Sequence, residues 1–241
     1  KTAGSTSYPN ASPATARGPH RSDQYRRTRP RWTPGPPPPT MPVVRVPPDD
    51  EIEALHARLA PHRAAFDLVW THCRIVAEIA EQVVSRVRGP VDERLVRAGS
   101  LLHDVGVHLL YRADGTLDHD RYLQHGVLGH DLLRDLGLPE ALCRFCSCHT
   151  GVGITRRDVV EQRLPIPVGD YVPTSLEERV VLYADAFHSK TSPPQFVGAA
   201  TYGARLARFG SDKVALFEGM VAELGEPDLR GLARSHGFAV V

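Results

Sequence analysis

A chain of 241 residues with 41% apolar side chains is long enough for one good-sized domain and rich enough for a real core. Its charge is uneven: residues 1–40 hold seven Lys or Arg and one acid, Asp23, which leaves 22 bases against 27 acids in the rest. A formal charge of −5 on that larger part argues against a nucleic-acid partner held by broad electrostatic attraction.

Residues 1–40 also hold nine of the 21 prolines, including Pro36-Pro37-Pro38-Pro39, and show no apolar periodicity. Too little apolar surface is present there to offset chain entropy, so a disordered Pro/Arg-rich tail is expected, with no function assigned to it. The first methionine, Met41, directly precedes the globular pattern, and the native protein is expected to start there, with a single domain over 41–241. No run of 18 apolar residues and no basic-then-apolar leader is present, so a cytoplasmic protein without a membrane partner is expected. Cys73, Cys143, Cys146 and Cys148 are too few for a disulfide framework and are expected as free thiols.

A weak helical pattern covers about Asp50 to Leu59. From Phe66 the residues Val69, Trp70, Cys73, Val76, Ala77, Ala80, Val83 and Val84 mark one helix face, which Gly89-Pro90 stops. Asp92 is a good N-cap for a third helix that reaches His103-Asp104, where Gly106 loosens the chain. Further helices are predicted from about Tyr122 to Leu136 and over Leu142, Phe145, Cys146 and His149. Residues 154–173 read as a loop with one helical turn at most. Thr174-Ser175-Leu176-Glu177 then reads as a capping box opening a helix through Val180, Val181 and Ala184. Two more helical patterns lie near 194–208 and 211–224. Sustained period-two alternation is absent, so the class is all-α, a bundle of seven or eight helices without a sizeable sheet.

His72, His103, Asp104, His125, His149 and Asp185 all fall within or at the end of a predicted helix. Helices hold ligands rigidly, and a bundle core can bring distant ones together. Divalent Mn, Fe, Co, Ni or Zn accepts mixed imidazole and carboxylate ligands, and an aspartate can bridge two ions. Taken singly, His72 and His149 read as satisfied core or surface histidines. Asp185, beside Val181 and Leu182, is harder to dismiss, because a carboxylate against a core needs a partner, either a metal or an arginine.

The order His72, His103-Asp104-Val105-Gly106, His125-Gly126, His149, Ala184-Asp185 resembles the HD superfamily, with Leu102-His103-Asp104-Val105-Gly106 similar to its HDIG variant. The likeness spans about residues 66–192. The run His149-Thr150-Gly151-Val152-Gly153-Ile154-Thr155, then Asp170-Tyr171-Val172-Pro173-Thr174 and Glu177-Glu178-Arg179-Val180-Val181, is similar to a subgroup of small archaeal and bacterial HDIG proteins. The resemblance implies one or two divalent ions (Mn, Fe, Co, Ni, Zn or Mg). A first would be held by His72, His103, Asp104 and Asp185, and a second by His125 and His149 with Asp104 bridging. Where some members pair two histidines at the fourth motif, this chain has Cys148-His149, and helical geometry turns Cys148 about 100° away.

Such ions lower the pKa of bound water, so the expected reaction is hydrolysis of a phosphomonoester or phosphodiester, a nucleotide being the expected substrate class, by a metal-bound hydroxide. His103, Asp104 and Lys190 are the catalytic candidates. Lys190, five residues past Asp185, is a candidate for binding a phosphate oxygen, against the plainer reading of a solvated surface lysine. His130 is left out of the ligand set. Cys143-x-x-Cys146-x-Cys148-His149 looks superficially like a zinc knuckle, but Cys146 continues an apolar stripe and the cysteines read as small core residues. Two alternatives stay open, a di-iron oxygenase and a non-catalytic nucleotide-sensing domain. The substrate, the metal and the oligomeric state are not readable from spacing.

Overall fold

The computed structural model describes residues 45–241. The expectations for a disordered tail over 1–40 and a start at Met41 lie outside those residues. Ten α-helices follow one another among the described residues: α1 Asp49–Leu59, α2 Arg63–Val84, α3 Glu93–Leu102, α4 His125–Asp135, α5 Glu140–Cys148, α6 Arg156–Glu161, α7 Leu176–Asp185, α8 Ala199–Leu206, α9 Ser211–Leu224 and α10 Leu229–His236. The all-α class stands, and the count of seven or eight helices is corrected to ten.

The core forms around α2, whose Val76, Ala80 and Val83 are fully buried with residues of α3 and α7, while Val69 and Cys73 pack on Val107 in a smaller cluster. α3 starts where Asp92 accepts the backbone N–H groups of Arg94 and Leu95, as the sequence predicts. After Leu102 the chain tightens into a 3-10 turn, Val105–Leu110, which packs on α4. α4 is shorter than predicted, because residues 119–124 wind as a second 3-10 turn before it. The segment 154–173 holds α6, capped reciprocally by Thr155 and Asp158. The box predicted at 174–177 sits one residue on: Ser175 accepts from the N–H of Glu178, whose carboxylate takes the N–H of Thr174 and pairs with Arg144.

Three two-residue strands form a small sheet, β1 His188–Ser189, β2 Gln195–Phe196 and β3 Ala239–Val240. β1 runs antiparallel to β2, with His188 opposite Phe196, and β2 runs parallel to β3. Two-residue strands carry no alternation that a sequence could display, and α10 has few apolar positions, so neither was predicted. No helix among the described residues is long and apolar enough to cross a membrane.

Candidate metal centre

His72 lies on the buried stripe of α2, 1% exposed, because Val69, Cys73 and Val76 turn that face inward. The other five candidate ligands stand at breaks in helices. His103 caps the C-terminus of α3 and Asp104 follows at φ −105°, ψ 8°, the turn into the 3-10 segment. His125 opens α4, His149 caps the end of α5 and Asp185 is the last residue of α7. Helix ends can aim a side chain along the bundle rather than across it. The approach of these ends needs backbone contact: a Cβ at Gly126 would lie 2.7 Å from the carbonyl oxygen of Cys146. Gly106, read from sequence as loosening the chain, is another such contact point.

The six side chains converge on one buried focus. His72 Nε2 is 3.1 Å from His103 Nε2, 3.2 Å from Asp104 Oδ2 and 3.0 Å from Asp185 Oδ1. His103 Nε2 lies 3.4 Å from Asp104 Oδ2 and 3.5 Å from Asp185 Oδ1. On the other side, Asp104 Oδ1 is 3.3 Å from His125 Nε2 and 3.6 Å from His149 Nε2, and those two nitrogens are 2.9 Å apart. The two oxygens of Asp104 thus face two different donor sets.

Hydrogen bonding fixes the tautomers of three of these imidazoles. His103 Nδ1 donates to the Ser100 carbonyl at 2.7 Å, His125 Nδ1 to that of Tyr122 at 2.6 Å and His149 Nδ1 to that of Phe145 at 3.0 Å. In the neutral ring the Nε2 atoms are then bare lone pairs. His125 and His149 point two such lone pairs at each other, and Asp104 Oδ1, fully buried beside them, has no hydrogen-bond partner among the described residues. A cation satisfies all three. Separations of about 3 Å also suit two donors on one ion with bonds of about 2.0–2.2 Å. The residues present fit a divalent metal.

The electrostatics point the same way. Burial disfavours a charged Asp104, yet Lys190 and His103 hold its carboxyl well below the usual range; Asp185 is likewise held low by His103 and His72 against its burial. Burial disfavours a charged His103, yet in the metal-free cluster Asp104 pushes its imidazole well above the ordinary value, and a cation bound there would take the place of that proton. His125 is dominated by burial instead and falls to about 4, which keeps it neutral and able to ligate. Two ionised carboxylates in a dry cluster draw positive charge to it.

Lys190 is not the solvated lysine of the plainer sequence reading. Its side chain is 16% exposed and Nζ forms an ion pair with Asp104 Oδ2. It also stands 5.9 Å from the ring centroid of Tyr122. A cleft of about 370 Å³ opens beside it, lined by Leu68, Val107, Leu117, Tyr122 and Tyr202 together with Asp185 and Arg205. Tyr122, Tyr202, Arg205 and His188 were missed from sequence, since nothing in their spacing marks them. His130 stays outside the cluster, bonded to Ser147. The four cysteines are buried and free; Cys146 Sγ donates to the Leu102 carbonyl, and no cysteine joins a metal-type cluster among the described residues.

The HD domain family matches residues 69–190, which include every candidate ligand. An uncharacterized protein of Methanocaldococcus jannaschii is 38% identical over 120 residues, 48% of this chain and 64% of that protein. A tRNA (cytidine(56)-2'-O)-methyltransferase of Picrophilus torridus is 35% identical over 121 residues, 50% of this chain and 31% of the enzyme. The chain therefore spans less than two thirds of the length of either relative. Among solved structures, the HD domain of the L. monocytogenes phosphodiesterase PgpH is similar at 18% identity and a TM-score of 0.45, over 71% of this chain and 87% of that one. With the family matched over half of its length, and the family's His-Asp pair present as His103-Asp104, the chain belongs to the HD domain family.

Proposed function

We propose that the protein is a metal-dependent hydrolase of phosphate esters. The observation that carries this reading is the division of Asp104, whose Oδ2 faces His72 and His103 while Oδ1 faces His125 and His149. His72, His103, Asp104 and Asp185 would hold one ion, and His125, His149 and Asp104 a second. When bound, divalent ions there lower the pKa of water into the neutral range and neutralise charge on phosphoryl oxygens.

The chain's own residues supply the rest. Carbonyls of Ser100, Tyr122 and Phe145 fix three imidazoles in the ligating tautomer, so little reorganisation is needed. Lys190, held on Asp104 at the edge of the cleft, presents a positive charge to a phosphate oxygen entering it. The cleft walls, Leu68, Val107 and Leu117 with two tyrosines, give an apolar face for a nucleoside. A nucleotide is the substrate class this lining favours, and a single domain over 41–241 carries the site.

The test is metal per chain by elemental analysis, on protein purified without chelators, with Asp104→Ala as control. Close to two ions, falling sharply in the variant, supports the bridged site and leads to a panel of phosphomonoesters and phosphodiesters. Bound ions without turnover of any of them would turn the reading to a nucleotide sensor. No metal, even after Mn or Fe is supplied, would sink the hydrolase.

A further inference from the structure

Among the four histidines of the cluster, His72 alone lacks a backbone carbonyl on its second nitrogen. It sits in the middle of α2, where the carbonyls one turn back are used by the helix itself. Its Nδ1 instead meets Nδ1 of His188 at 2.8 Å, with the two rings stacked at 29° and 5.1 Å between centroids. Both side chains are buried.

Resting on the metal reading above, we propose that His188 is a positioning residue: its Nδ1 accepts the Nδ1–H of His72 and holds the Nε2 lone pair of His72 on the first ligand set. For that bond the proton of neutral His188 must reside on Nε2, which is buried and has no partner of its own among the described residues. The ring is clamped by the small sheet, 5.3 Å from Phe196 and 6.0 Å from Phe238 between centroids. A second proton arrangement exists, with His188 donating through Nδ1 and His72 protonated on Nε2 toward Asp185, 3.0 Å away. An ion on His72 Nε2 excludes that one. The sheet that holds His188 thereby becomes part of the metal centre. The chemistry matches the general pattern in which the far nitrogen of a metal-bound imidazole donates to an acceptor that sets its orientation.

The experiment uses the full chain loaded with zinc. Affinities of the ions are read by chelator competition for the unmutated protein, His188→Leu and His188→Asn, whose amide oxygen can stand where Nδ1 stood. Expected is a loss of about 10–100-fold for one ion in the Leu variant, no change for the other, and recovery to within a few-fold in the Asn variant. Long-range proton–nitrogen spectra of the zinc-loaded, unmutated protein should show His72 protonated at Nδ1 and His188 bare at Nδ1. Unchanged affinities in the Leu variant, equal losses in both variants, or the opposite tautomers would overturn the proposal while leaving the metal reading intact. An unmutated protein that binds no zinc would sink the metal reading itself. Should the Leu variant fail to fold, the spectra decide.

Discussion

Gly106 and His125 touch through their backbones: a Cβ at 106 would collide with the carbonyl oxygen of His125 and stand 2.8 Å from Cα of Gly129. The glycine two residues after Asp104 thus sets how close α4 comes to the His-Asp turn. It places one half of the candidate ligand set against the other.

The first prediction is that Gly106→Ala forces α4 away from that turn. Overpacking of this kind costs about 1–3 kcal/mol, and here it also displaces His125 from Asp104. Expected are a lower urea midpoint and weakened binding of the second ion, with the first kept. Wild-type stability together with wild-type ion binding would show that the contact is not tight.

The two donor sets meet at Asp104, and His103 lies within reach of both, but His72 and His149 each belong to one set and should be separable. His149→Ala should lower the metal content from about two ions to about one, and the remaining ion should still depend on His72. The converse holds for His72→Ala. Elemental analysis of both variants checks this, and a loss of all metal from either one would mean a single shared site.

Much of this cluster was legible in the sequence because the candidate ligands lie in ordered motifs: His103-Asp104 follows an apolar helix with a clear N-cap, and His125-Gly126 opens another. What stayed hidden lies in geometry. The role of Gly106 depends on a crossing helix, and the burial of Lys190 depends on Asp104, 86 residues earlier. His188 sits on a two-residue strand with no periodicity to announce it. A lysine near a helix end looks the same in sequence whether it faces water or a carboxylate.

Lys190 should be separable from metal binding. Its charge sits on Asp104 Oδ2 at the cleft, so Lys190→Met should leave ions bound while lowering turnover of a phosphate-ester substrate about 10²–10³-fold, the usual cost of losing one preorganised electrostatic contact. Lys190→Arg should recover part of the loss. Turnover equal to wild type in the Met variant would return Lys190 to a structural role.

The Asp158–Lys213 ion pair sets a pH dependence away from the centre. Asp158 is 17% exposed; burial raises its carboxyl, but Lys213 Nζ at 2.6 Å and the Thr155 N–H and hydroxyl bring it down to about 2 from an ordinary 3.8. A carboxylate depressed in the folded state adds stability that is complete above its ordinary value and is lost as the pH falls through its folded value. That contribution is about 2 kcal/mol at neutral pH. Asp158→Asn should therefore be less stable than wild type by about that amount at pH 7, with the gap narrowing as the pH drops from 4 toward 2. Urea midpoints of both proteins across that range measure it. A gap that stays constant down to pH 2 would mean that the carboxyl titrates alike in both states and that Lys213 does not hold it.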